Sequence, residues 1–225
     1  ELTFDDDNWA SQLASNYATG EEMPGMLKFG NETIHGVGIR YKGNTSYQKS
    51  GEKKPINISV DKTVVHADLK GYDSLNFNNA NMDQTLLKEV LYFNTFKKYA
   101  ACPGAGFAQL NINGENWGVY SNVQQQDGSL IRQYFGENSG DRWKAPSGSG
   151  SGAGGGGGGG GRPPGGPGGG GAGGGGGGGV NNNLALLYLG DASATYENLY
   201  ELKKQKTDNP WEILINAIDV LNNSP

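Results

Sequence analysis

A single glycine-rich segment limits what this chain of 225 residues can fold into. Residues 147–179 contain 24 of the 40 glycines, and they have neither the strict Gly-X-Y period nor the proline content of collagen. A segment with so few side chains has almost nothing to bury, so packed structure must come from the residues on either side. The flanking residues have ordinary globular composition, because their glycine content is near the average of about 7%.

Composition excludes several classes of protein. The net charge of −5 argues against a general nucleic-acid binder, and no run of about 18 apolar residues predicts a transmembrane span. His35, His66 and Cys102 are too few for a His/Cys zinc site, and Cys102 alone cannot form an internal disulfide. We expect Cys102 to be a small buried residue. No signal peptide is visible, although the opening resembles the middle of a domain, which leaves a removed leader possible.

Alternating apolar residues and turn dipeptides predict two β-hairpins and three further strands. The first hairpin joins residues 26–29 to 33–42 around Gly30-Asn31, and the second joins 107–112 to 117–123 around Asn113-Gly114. Residues 54–60, 75–79 and 142–144 have the composition of additional short strands. We therefore expect a sheet built mainly from antiparallel neighbours.

Helical spacing of apolar residues predicts helices over 5–16, 83–99, 127–135 and 195–204, and a final helix that starts near Pro210. Asp5, Asp6 and Asp7 are typical of charge at a helix N-terminus, with calcium binding as the alternative. The 83–99 helix has Asp83 as its expected N-cap. Its predicted inner stripe places Glu89 at the border and consists of Leu87, Val90, Leu91 and Asn94. The stripe predicted for the final helix is Ile213, Leu214, Ala217, Ile218 and Leu221.

One group of residues has the composition of a polyphosphate site. Arg40, Lys42 and Lys54 surround a loop over 43–53 that is rich in Gly, Ser, Thr and Lys. Loop N–H groups and a lysine charge can hold phosphates, and Glu89 could orient Lys54 as an ion pair. The alternative is a solvated basic loop beside a sheet. The chain has no GxxxxGK[ST], GxSxG or HExxH motif.

The same residues resemble the CotH family of spore-coat kinase-like proteins. The resemblance covers nearly all of the chain outside the glycine segment, with its motifs in the family's order. Those motifs are 38–46 (GIRYKGNTS), 53–58 (KKPINI), 75–79 (LNFNN) with Asp83, 87–91 (LKEVL), 113–120 (NGENWGVY), 142–145 (RWKA), 188–190 (YLG) and 200–203 (YELK).

The resemblance implies an α+β fold: an atypical protein-kinase-like domain with a mostly antiparallel sheet and packed helices, incomplete at the C-terminus. It implies transfer of the γ-phosphoryl group of ATP, with Mg²⁺, to Ser/Thr of a secreted or surface protein. By position, Lys54 would contact the ATP phosphates and pair with Glu89, while Arg40 and Lys42 would add positive charge. Gln124 and Gln125 would lie beside the adenine, where the family commonly has Glu; an amide can still hydrogen-bond a nucleotide.

The family pattern also implies how the chain is organised. We expect residues 1–146 to be the N-terminal part of one kinase-like domain, 147–183 a disordered loop insertion, and 184–225 the helical continuation of that domain. The family's metal-binding catalytic carboxylates are expected beyond Pro225, so these residues alone should be nearly inactive, and no metal ligand is assigned within them.

A second functional class stays open beside the kinase. The same fold could serve as a non-catalytic coat, adhesion or scaffold module, because fold does not fix function. Extracellular or cell-surface location is implied by the resemblance. Nucleic-acid binding through the Arg40–Lys54 region is disfavoured by the acidic total charge.

Overall fold

The computed structural model describes residues 1–145 and 186–224, which form two compact units. The first unit contains residues 1–136, and the described part of the second contains 137–145 and 186–224. The predicted loop over 147–183 lies outside the described residues. The division of one domain into segments 1–146 and 184–225 stays a prediction.

The first unit is built on seven strands that close into a β-barrel in the order β1-β2-β3-β4-β5-β7-β6. Neighbouring strands are antiparallel except β1 and β6, whose parallel pairing of Leu2 with Ile112 closes the sheet. The strands are β1 (Leu2–Thr3), β2 (Met23–Phe29), β3 (Glu32–Tyr41), β4 (Ile56–Ser59), β5 (Ser74–Asn78), β6 (Ala105–Ile112) and β7 (Glu115–Gln124).

This barrel corrects the fold class expected from the resemblance. A kinase-like α+β fold with a mostly antiparallel sheet and packed helices is wrong, because the sheet is mixed and closed and only a few helices accompany it. The physical reason lies in β1: both of its residues pair with β2, and Leu2 also pairs with β6. Closure leaves no free edge for the sheet.

Strand alternation fills the barrel interior with apolar side chains. Val37, Ile39 and Tyr41 of β3 are buried beside Ile56 and Ile58 of β4. Residues between them, including Arg40 and Asn57, consequently face the outside of the barrel. The outer face of β3, β4 and β5 therefore carries polar side chains such as Arg40, Asn57 and Asn76.

Four helices accompany the barrel: α1 (Trp9–Asn16), α2 (Thr45–Gln48), α3 (Lys88–Phe96) and α4 (Gly128–Phe135). Helix α3 is shorter than the predicted 83–99, because Asp83 accepts hydrogen bonds from the backbone N–H groups of Thr85 and Lys88 in a turn that precedes the helix. Helix α3 packs against β6 and β7. Cys102 is buried beside it, as predicted, with its thiol 3.6 Å from the Phe93 carbonyl oxygen.

The described part of the second unit contains a two-stranded antiparallel sheet and two helices. Its elements are β8 (Arg142–Lys144), α5 (Ser193–Glu197), β9 (Glu201–Lys204) and α6 (Pro210–Asn223). The predicted strand over 142–144 and the helix at Pro210 are confirmed. The single helix predicted over 195–204 is wrong, because its second half pairs with β8 as a strand.

Candidate functional site

The described residues bury four polar or charged side chains, and all four lie on the outer face of the barrel. They are Lys42, Asn57, Asn76 and Ser121, each with less than a tenth of its surface exposed. Asn57 pairs with Asn76 across β4 and β5, and Ser121 of β7 pairs with Asn78 of β5. Buried polar groups are costly unless they are paired, so their concentration on one surface marks this face as the candidate site.

Lys42 is the cation at the centre of this face. It follows β3 and is only 8% exposed, and its Nζ donates a hydrogen bond of 2.9 Å to Asn76 Oδ1. Burial lowers the pKa of Lys42 from 10.5 to about 8, while the charge of Glu89 acts in the opposite direction and Arg40 adds to the lowering. The ammonium group is therefore poorly hydrated, and since no ion pair joins Lys42 to Glu89 among the described residues, this carboxylate acts on it over a longer distance.

Glu89 supplies the carboxylate from the first turn of α3. Its Oε1 accepts a hydrogen bond of 2.7 Å from Asn78 Nδ2. Burial raises the pKa of Glu89, and the Asn78 amide, the Lys42 charge and the nearby Ser121 hydroxyl oppose that rise. Ser121 Oγ is itself buried and makes no hydrogen bond of normal geometry within the described residues.

A network of side-chain amides on β4 and β5 holds Lys42 in position. Asn76 Oδ1 accepts from Lys42 Nζ and also from Asn57 Nδ2, at 3.1 Å. Asn57 Nδ2 additionally lies 3.0 Å from Ser74 Oγ, and Asn76 Nδ2 donates to Gln125 Oε1 at 2.7 Å. Because these amides hold one another in place, Lys42 has a defined position before any ligand arrives.

Lys54 does not join this cluster. Its Nζ donates to the carbonyl oxygens of Tyr47 (2.8 Å) and Lys49 (2.6 Å), and it lies 5.2 Å from the centre of the Tyr47 ring. Within residues 1–145 and 186–224, no ion pair joins Lys54 to Glu89. The predicted pairing fails because Lys54 shares the alternation of Ile56 and Ile58, which face the interior, whereas Glu89 reaches the outer face.

The 43–53 loop is held in place by hydrogen bonds from residues on either side of it. Asn79 Nδ2 donates to the carbonyl oxygens of Ser46 and Lys53, and the Tyr17 hydroxyl donates to the Gly43 carbonyl oxygen. Tyr17 also stacks on Tyr47, with ring centres 3.5 Å apart. The loop that the sequence suggests as a phosphate cradle thus contains α2 and directs two of its carbonyl oxygens at the Lys54 ammonium.

Gln124 and Gln125 have different surroundings. Gln125 belongs to the amide network beneath Lys42. Gln124 instead accepts from the Gly104 N–H at 3.0 Å and donates to Gln133 Oε1 at 3.1 Å. Gln124 also lines a cavity of about 260 Å³, whose wall includes Tyr72, Ser74, Gly104, Gly106 and Asn122. Only Gln125 therefore joins Lys42, Glu89 and Arg40 among the predicted site residues.

Sequence reasoning missed the asparagines that support Lys42. Asn57, Asn76 and Asn78 lie inside strands, where asparagine is normally depleted. Asn76 and Asn78 alternate along β5, and Asn57 lies opposite Asn76 in β4. This pattern of asparagines in strands is the signal that could have identified them. Two further properties concern only the described part of the chain: it contains no group of three or more acidic, His or Cys residues suited to a metal ion, and no helix there has the length and apolarity needed to cross a membrane.

Comparison with known proteins supports the resemblance. The chain matches the family described as CotH kinase protein over residues 39–225, which is more than four fifths of its length. No curated protein matches it significantly. The match begins inside β3 and includes Arg40, Lys42 and Glu89. The chain is a member of the CotH kinase family.

Proposed function

We propose that this chain binds the phosphates of ATP on the outer face of the barrel and serves transfer of the γ-phosphoryl group to Ser or Thr of a protein. The observation that carries the proposal is the buried Lys42, held by Asn76 and accompanied by the Glu89 carboxylate. A lysine with an orienting carboxylate is a recurring part of phosphoryl-transfer sites, in which positioning and charge stabilisation supply most of the rate.

The charges present fit a phosphate group. Arg40 and Lys42 lie on one face, and the guanidinium of Arg40 makes no hydrogen bond within the described residues. The negative charge of a polyphosphate would stabilise the buried ammonium of Lys42. The side-chain amides of Asn76 and Gln125 lie in the same hydrogen-bond network as Lys42. Bound ATP supplies the γ-phosphoryl group. The Ser/Thr oxygen would form the new P–O bond as the P–O bond to ADP breaks, and the hydroxyl proton would pass to solvent.

The magnesium expected from the resemblance is a separate matter. Among the described residues, no group of three or more acidic, His or Cys side chains could hold a metal ion. The carboxylates expected beyond Pro225, and the low activity expected without them, stay predictions. A phosphotransfer assay with a Ser/Thr-containing protein and ATP tests them.

ATP-dependent thermal stabilisation tests the binding proposal. ATP at 100 times its dissociation constant should stabilise the protein by about 2.7 kcal/mol, and Lys42→Met should abolish most of that gain. Lys97→Met is the matched control, because Lys97 Nζ also bonds an asparagine (Asn94, 2.9 Å) but is exposed. Lys54→Met, which removes a loop contact, should alter stability without removing the response to ATP.

Two results would contradict the proposal. If ATP does not change the melting temperature of the unmodified protein, the result would favour the alternative, a non-catalytic coat or adhesion module. An ATP response lost in Lys54→Met but kept in Lys42→Met would return the phosphate role to Lys54.

We also propose that the protein acts outside the cell or at its surface, on a protein partner. This location rests on what the resemblance described above implies. Protease treatment of intact cells tests it, since a surface protein is digested while cytoplasmic markers survive.

A further inference from the structure

A second carboxylate, Glu22, lies on the same face as Lys42, beside Arg40. Glu22 precedes β2, and its side chain is only 15% exposed. The carboxylate accepts a hydrogen bond of 2.6 Å from the Ser59 hydroxyl and lies 3.1 Å from Lys62 Nζ. Its Oε1 is 3.8 Å from Nε of Arg40. Glu22 therefore has a fixed position between two cations.

The chain keeps space for this carboxylate at Gly38. A Cβ atom at Gly38 would lie 2.3 Å from Oε2 of Glu22, which is closer than real Cβ contacts allow. Gly38 pairs with Ser59 across β3 and β4, so the glycine and the hydroxyl that anchors Glu22 are cross-strand neighbours. The position of Glu22 thus depends on contacts and space from both strands of the outer face.

Arg40 connects Glu22 to the Lys42 cluster. Arg40 and Lys42 are two residues apart on the same side of the chain, close enough for Arg40 to lower the pKa of Lys42. Glu22 therefore lies beside two cations, Arg40 and Lys62, while Lys42 lies near the second carboxylate, Glu89. The match to the CotH kinase family starts at residue 39, so Glu22 comes from a segment outside it.

We propose that Glu22 is an internal counter-ion of the anion site and sets how strongly that site responds to the charge of a phosphate ligand. The inference rests on the proposed function, because it takes Arg40 and Lys42 as phosphate ligands. Glu22 offsets the charge of Arg40 and repels a phosphate that approaches it. This repulsion grows with the number of negative charges on the ligand.

The test compares Glu22→Gln with the unmodified protein in binding inorganic phosphate, pyrophosphate and tripolyphosphate. Glutamine keeps the shape of the side chain and a carbonyl oxygen for the Ser59 hydroxyl, but it removes the charge. We expect tripolyphosphate to bind on the order of threefold to tenfold more tightly, phosphate to gain less, and the gain to shrink as salt is added. A role in packing alone would not produce a gain that scales with ligand charge.

Glu32→Gln is the matched control. Glu32 also pairs with a lysine, Lys70, but this exposed pair lies at the far end of the β2–β3 hairpin. We expect Glu32→Gln to leave all three affinities unchanged. Circular dichroism confirms that both variants are folded.

The outcomes separate the two proposals. Affinities that are equal in Glu22→Gln and the unmodified protein, or weaker in the variant, overturn the role of Glu22 and leave phosphate binding intact. An unmodified protein and a folded Glu22→Gln variant that both fail to bind ATP and tripolyphosphate overturn the proposed function and, with it, the role of Glu22.

Discussion

Lys42 shows how the setting of one residue determines its chemistry. In the sequence it is one of several basic residues near a glycine-containing loop. In the structure it is buried, bonded to Asn76 and close to Glu89. Alternation along β3 predicts correctly that Arg40 and Lys42 share a face. Alternation could not show which lysine Glu89 accompanies, because that depends on how α3 lies over the sheet.

The lowered pKa of Lys42 predicts a pH dependence of stability. The unfolded lysine titrates near 10.5 and the folded one near 8, so between these values the unfolded state binds more protons. The free energy of unfolding contributed by Lys42 should therefore rise with pH across this window, by on the order of 2–3 kcal/mol. Denaturation measured from pH 7.5 to 10 in the unmodified protein and in Lys42→Met tests this.

The comparison isolates Lys42 from other titrating groups. Burial also lowers the pKa of Lys53, but that contribution is present in both proteins and cancels. An identical rise of stability with pH in Lys42→Met would show that Lys42 is not the titrating group.

At the scale of secondary structure, turn chemistry was the most reliable predictor. Asn113 and Gly114 have φ values of 50° and 82°, as a two-residue hairpin turn of this type requires, and they join β6 to β7 as predicted. Both predicted hairpins and the three further strands are confirmed in type, with shifted ends.

Helix faces were predicted less well than turns. In α3 the buried residues are Val90 and Phe93, while Leu87 and Leu91 of the predicted stripe are exposed. The buried face of α3 is therefore rotated relative to the predicted stripe, and this rotation brings Glu89 to the sheet. In α6, Ile213 and Leu221 are likewise exposed. Apolar periodicity cannot choose between two adjoining stripes when both contain apolar residues.

Asp127 offers a test of helix capping in α4. Its carboxylate accepts from the backbone N–H groups of Ser129 (2.8 Å) and Leu130 (3.4 Å). Asp127→Ala leaves these donors without their partner, so we expect a loss of about 1 kcal/mol in urea denaturation. Asp7→Ala, at an exposed position ahead of α1, should have a much smaller effect. Equal effects from both changes would show that the cap does not stabilise the first unit.

The barrel itself depends on the strand that sequence patterns could not reveal. Two residues give too short a pattern to predict a strand, so β1 was missed and closure with it. The resemblance could not supply it either, since the family match begins at residue 39. The predicted fold class is therefore wrong, although most of the predicted strands and helices are present.

Leu2→Ala tests the contribution of closure. Leu2 is completely buried and pairs with both Leu27 and Ile112. Removing its side chain should cost 2–5 kcal/mol, the usual range for buried leucines. Leu91→Ala, at a position 57% exposed on α3, should cost little. A Leu2→Ala variant with unchanged denaturation would mean that β1 adds nothing to the barrel.

Closure between Leu2 and Ile112 also has a consequence for how the protein is made. The first strand must wait for the sixth to be synthesised before the sheet can close, although β2 and β3 can pair much earlier as a local hairpin. Contacts between residues so far apart in sequence slow folding, because the entropy of the intervening chain is lost before they form. Because β6 joins β5 only through β7, the nascent barrel exposes open edges that a chaperone can bind until β7 has also emerged, up to Gln124.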